Sequence, residues 1–142
     1  MNVRRFVSLS ALMAVMATGC GKQKQPWETV YPASGKITYK GGDLMGAQVT
    51  LIPVDEKIPA SVRPTATTDW DGTFQVGTYS QTDGAPAGDY KVVILHYPVV
   101  GPKESPSAGP NDLPAKYATA KTTDLKVTVA EPGTEFPLIE IK

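Results

Sequence analysis

The amino-acid sequence predicts an all-β protein: a single two-sheet sandwich of about seven short strands, set behind a cleaved export signal. Three observations lead there. Thirteen glycines and thirteen prolines are spread through the 142 residues, a composition of many turns rather than long helices. From Val30 onward, apolar and polar residues alternate in short runs broken by Gly, Pro and Asp. The segment before Cys20 differs in kind, with a basic start, an apolar stretch and a close of small residues.

That N-terminal segment comes first. Residues 1–5 carry Arg4 and Arg5, residues 6–17 are apolar apart from two serines, and Ala17-Thr18-Gly19 precedes Cys20. The apolar run falls well short of the ~20 residues a permanent membrane helix needs, so a cleaved signal is expected over an uncleaved anchor. Ala17-Thr18-Gly19-Cys20 resembles the bacterial lipobox, with Ala17 standing where that motif usually has leucine. The resemblance implies cleavage before Cys20, a diacylglyceryl thioether on its sulfur, and acylation of the new amine. Each buried acyl methylene contributes ~0.8 kcal/mol, and two or more chains make the anchoring stable. The alternative is an ordinary secretory signal with a chance cysteine nearby. Cys20 is the only cysteine, and lipidation would consume a thiol that is otherwise an unpaired redox liability outside the cell.

The expected layout is a signal at 1–19, the lipidated cysteine and a polar tether at 20–29, and the sandwich at 30–142. Polar residues 21–26 show no periodicity and span at most ~20 Å when extended, which keeps the domain close to its membrane. The chain has 14 basic and 14 acidic side chains, and cleavage removes Arg4 and Arg5. Nucleic acid is therefore not an expected partner.

Along the domain, Ile37 and Tyr39 alternate with Lys36, Thr38 and Lys40 before Gly41-Gly42-Asp43, and Ala47, Val49 and Leu51 supply the next apolar face. Residues 65–69 and 73–76 flank Asp71-Gly72, predicting a hairpin with a type I′ turn and with Phe74 and Val76 inward. Residues 90–96 are apolar on both faces after Lys91, the pattern of a central strand. Five prolines between 98 and 114 remove too many amide donors for a central strand and predict one long loop. Leu125, Val127 and Val129 alternate again, and residues 136–141 close the chain, with Pro137 and Leu138-Ile139 leaving the inward face open.

Several pieces resemble one family together. They are Gly35-x-Ile37-x-Tyr39, Gly42-x-Leu44-x-Gly46-Ala47-x-Val49, Thr67-Thr68-Asp69-x-Asp71-Gly72-x-Phe74, Ala87-Gly88-x-Tyr90-x-Val92 and Leu113-Pro114-x-Lys116-Tyr117. They are similar to the carboxypeptidase regulatory-like domain, a transthyretin-like, immunoglobulin-like β-sandwich found in small lipoproteins of planctomycete bacteria. The resemblance implies an accessory role in folding, adhesion or carbohydrate binding. Transthyretin-related hydrolases of purine breakdown need several histidines and a Tyr-Arg-Gly-Ser ending. This chain has one histidine and ends Ile139-Glu140-Ile141-Lys142, so that activity is not implied.

Candidate chemistry is sparse. His96, the single histidine, excludes multi-histidine metal sites, and no nucleophile-elbow motif accompanies it, so a hydrogen-bonded structural role is expected. Asp69-x-Asp71-Gly72 begins like a calcium loop, because paired carboxylates two apart can converge on a hard cation. The twelfth position of that loop is Ser80 rather than glutamate, and Asp83 and Asp89 add oxygens only if folding brings them near. Turn-forming aspartates are the expected role. Trp70, between the two aspartates, can stack on a sugar or partner ring if it is exposed. Lys116-Tyr117 reads as a strand start.

The resulting expectation is a non-enzymatic, lipid-anchored protein of the cell envelope with no cofactor, metal or catalytic residue. Cys20 is its lipidation site, and Trp70, Asp69 and Asp71 are its candidate ligand contacts. Its partners are a membrane and an envelope protein or glycan, the glycan meeting Trp70 and the 98–114 loop.

Overall fold

Strand β1 (Ala33–Tyr39) has partners along both edges because its odd- and even-numbered backbone groups point opposite ways. On one edge Ala33 accepts from Val76, and Ile37 donates to Gly72 and accepts from Leu44. That edge carries β5 (Thr73–Gln75) and β2 (Gly42–Asp43), both antiparallel. On the other edge Ser34 accepts from Phe136 and Lys40 donates to Ile141. There β10 (Thr134–Glu135) and β11 (Ile139–Ile141) run parallel to β1 as one interrupted strand. The break falls at Pro137, which has no amide to give to a ladder. It also settles the inward face: Ile139 and Ile141 are buried while Leu138 is exposed.

The computed structural model describes residues 24–142, so the signal segment 1–19 and Cys20 lie outside the described residues. The second sheet is fully antiparallel, in the order β4 (Thr65–Thr67), β3 (Gln48–Pro53), β6 (Gly88–Leu95), β9 (Lys126–Val129). As the apolar pattern predicts, β6 is central and buries Tyr90, Val92, Val93 and Ile94.

Both sheets feed one core. Ile37, Phe74, Val76, Ile139 and Ile141 from the first meet Val49, Leu51, Tyr90, Val92 and Ile94 from the second, an arrangement of sandwich character. Each such side chain contributes ~1.5–3 kcal/mol by leaving water. The Tyr90 hydroxyl is satisfied inside this core by donating to the Pro86 carbonyl at 2.7 Å. Burial, its largest influence, holds its pKa far above the ordinary tyrosine range.

The described residues form eleven strands rather than about seven, since several are two-residue pieces flanking β1 or lying in loops. Within the proline-rich 98–114 segment, β7 (Val99–Val100) and β8 (Ser107–Ala108) pair as a small hairpin, so the segment is structured where a plain loop was expected. Lys116 and Tyr117 belong to a 3-10 turn, Ala115–Tyr117, not to a strand start. Pro26–Glu28, placed in the tether by sequence, forms another 3-10 turn, and Trp27 packs against the core.

Candidate functional site

The 65–77 segment departs from the expected tight hairpin, and that departure shapes the surface. Its turn is closed by the Gly72 amide donating to the Asp69 carbonyl and the Asp69 amide donating to the Thr73 carbonyl. Only Gly72 is left-handed (φ 76°), whereas a type I′ turn needs two such residues; the turn is a three-residue connection ending in a glycine bulge. A β-carbon at Gly72 would also run into the Ile37 carbonyl, so glycine meets both a conformational and a steric requirement.

Beyond the turn the two arms separate into different sheets. β4 follows β3 and β5 follows β1. Thr65 and Gly77 still exchange both backbone hydrogen bonds at 2.9 Å. Between that bridge and the turn, Thr67 and Gln75 occupy opposed positions with no ladder joining them. Parity makes this specific. Ala66 and Thr68 bond toward β3 and Phe74 and Val76 toward β1, so the backbone groups of Thr67 and Gln75 point toward each other across the seam.

An open cleft of about 800 Å³ lies over this seam. Gln48, Thr50, Thr65, Thr67 and Gln75 line it from the strands, and Tyr79 from the following loop. Among the described residues Asp69 is its single charged lining residue. The loop wall is fixed by Asp83, whose carboxylate accepts from the amides of Thr78 (2.6 Å), Tyr79 (3.1 Å) and Ser80 (3.0 Å). Desolvation pushes the Asp83 pKa up, but these amide bonds outweigh it and hold the carboxyl below the ordinary aspartate range. The Tyr79 hydroxyl donates to the Trp27 carbonyl at 2.6 Å while the residue stays 56% exposed.

The sequence-predicted residues are placed as follows. Trp70 sits at the turn tip, 80% exposed. Asp71 Oδ1 accepts from the Thr73 hydroxyl (2.6 Å) and amide (3.1 Å), which lowers its pKa, the hydroxyl bond contributing most. It therefore serves its own turn, as expected of a turn aspartate. Asp83 is engaged under the 78–80 amides and Asp89 with the Thr128 hydroxyl, and neither joins Asp69 and Asp71. His96 Nδ1 meets Asp112 Oδ1 at 2.7 Å, and its amide donates to Asn111 Oδ1 at 3.0 Å. The histidine thus clamps the end of the 98–114 segment to the end of β6. Sequence reasoning did not single out Thr67, Gln75 or Tyr79. The available signal was Asp83 shortly after Thr78-Tyr79-Ser80, an aspartate spaced to accept from preceding amides.

No family's sequence profile matches the chain, and no curated protein does. Among solved structures the chain is similar to the major pilin subunit of Bacillus cereus, at 16% identity and TM-score 0.45, covering 80% of this chain and 30% of that one. It is similar to a 9R-lipoxygenase from Cyanothece at 13% identity and TM-score 0.42, covering 80% and 17% of the two chains. It is also similar to a candidate carbohydrate-binding protein from Pseudomonas aeruginosa at 15% identity and TM-score 0.40, covering 84% and 91%. None of these likenesses assigns a function.

Proposed function

We propose that the chain is an exported, lipid-anchored protein of the cell envelope whose β domain is a non-catalytic structural or interaction module. The observation that carries the non-catalytic part is the employment of its polar side chains. His96 holds Asp112, Asp71 holds Thr73, and Asp83 holds a loop, each doing structural work. The anchoring part rests on the layout of residues 1–20. The finer assignment to a carboxypeptidase regulatory-like, transthyretin-like sandwich is supported by the Asp69–Phe74 turn and the inward Tyr90.

Chain direction suits this reading. The described chain enters the domain at the end where β1 begins. Met45, Trp70, Tyr97, Val99 and Val100, all exposed, lie on segments at the other end, where β1, β4 and β6 finish. An anchor at Cys20 would present those side chains away from the membrane.

Intact mass of the protein extracted in detergent from its host, beside a Cys20→Ser variant, tests the anchor. A mass of residues 20–142 plus acyl chains, lost in the variant, is expected. An unlipidated mass in both would overturn anchoring.

A second reading, glycan binding, is favoured by one observation: Trp70 stands free of the core with its ring open to solvent. Under that reading Trp70→Ala weakens retention on a neutral-glycan matrix, and unchanged retention counts against a role for Trp70.

A further inference from the structure

We infer that the seam between β4 and β5 is a binding site for a short, uncharged saccharide, with Thr67 and Gln75 supplying hydrogen bonds and Tyr79 a stacking ring. The inference rests on the glycan-binding reading but moves its centre from the turn tip to the cleft beside it.

The lining selects the ligand class by elimination. Among the described residues no lysine or arginine lines the cleft, so phosphates and other strong anions find no countercharge there. Hydroxyl and amide groups dominate the walls, which disfavours an apolar ligand whose burial would desolvate them. A peptide adding as a strand needs a continuous unpaired edge. Here the gap is closed on one side by the Thr65–Gly77 bridge and on the other by the Asp69–Thr73 bond, so no extended chain can enter the ladder. A neutral polyol fits what remains, because its hydroxyls both donate and accept.

Two features make the site prepared rather than merely polar. The side chains of Thr67 and Gln75 are exposed and line the cleft, and no ladder joins the two residues across the seam. The Thr67 hydroxyl and the Gln75 amide together donate and accept, which complements a ligand hydroxyl. Tyr79 is held at both ends, its amide by Asp83 and its hydroxyl by the Trp27 carbonyl, so its exposed ring loses little freedom when a sugar stacks on it. The cleft volume falls in the range of small-molecule sites.

The test is calorimetric titration of the full chain, purified in a zwitterionic detergent without a sugar headgroup. The probes are maltotriose, cellotriose and tri-N-acetylchitotriose, with trigalacturonate as an anionic comparison. Saturable binding of at least one neutral trisaccharide and much weaker binding of the uronate are expected. A Thr67→Val/Gln75→Leu variant, whose unchanged melting temperature shows that it folds, should bind at least about tenfold more weakly. Tyr79→Ala should weaken binding too, while Leu138→Ala, at an exposed apolar residue outside the cleft, should leave it unchanged. Binding lost with Trp70→Ala but kept in the Thr67/Gln75 variant would overturn the seam site and leave the glycan reading standing. Silence with every neutral probe would overturn both.

Discussion

The β3–β6 pair and the β4–β5 pair are both antiparallel neighbours, yet they use their backbones in opposite ways. β3 and β6 stay in register from Gln48–Leu95 to Pro53–Tyr90, so their inner edges are consumed by the ladder and their side chains by the core. β4 and β5 meet at Thr65–Gly77 and again at the Asp69 turn, and between those points no ladder joins Thr67 to Gln75. The second pair is divided because each arm has a stronger claim elsewhere, β4 on β3 and β5 on β1. Where two sheets compete for one hairpin, its arms are held by their own sheets and do not complete a ladder with each other.

That contrast can be broken from its core side first. Phe74→Ala removes a buried ring that packs against Phe136 with centroids 6.1 Å apart and should cost about 3–5 kcal/mol in denaturant unfolding. A loss below about 1 kcal/mol would mean that β5 is not seated as described. Tyr90→Phe keeps the ring and removes only the bond to the Pro86 carbonyl, with an expected loss of about 1–2 kcal/mol. The raised Tyr90 pKa adds a sign: the buried phenol is neutral, so its contribution is full below the unfolded-state pKa near ~10 and fades as pH rises above it. In Tyr90→Phe that alkaline loss should shrink.

Asp83 should show the opposite sign. Its folded pKa is depressed, so its contribution is complete above the unfolded-state value near ~3.9 and is lost as pH falls through the lower folded value. Amide chemical shifts of Thr78, Tyr79 and Ser80 should hold down to about pH 4 and change below it, and Asp83→Asn should abolish that transition. The smallest effect belongs to the seam itself. The Thr67→Val/Gln75→Leu variant should change stability by no more than about 0.5 kcal/mol, because both residues are exposed and make no ladder with each other. A large loss there would mean that the seam is a structural element after all.

Much of the core was legible because burial follows a period of two. Val49, Leu51, Phe74 and Val76 are inward as the alternation predicts. The central place of β6 was legible for a different reason, since residues 90–96 are apolar on both faces after Lys91. The parallel partners of β1 were not, since alternation reports which face a residue takes and carries nothing about which distant strand lies alongside. Asp71-Gly72 announced a turn, but a two-residue signal cannot tell a type I′ turn from one ending in a glycine bulge, and that difference accompanies the opening of the arms. Of the candidate site, the exposed Trp70 was within reach of sequence reasoning. Thr67 and Gln75 were not, because their significance lies in their place along a seam between two sheets, which only the assembled sheets define.

Native-state hydrogen exchange, read amide by amide by NMR, tests the open seam most directly. Thr67 and Gln75 should exchange much faster than Val49, Thr68, Val76 and Val92 around them, and a neutral trisaccharide should slow them. Protection of Thr67 and Gln75 equal to that of their neighbours, with or without sugar, would show the two strands to be paired and would contradict the open seam.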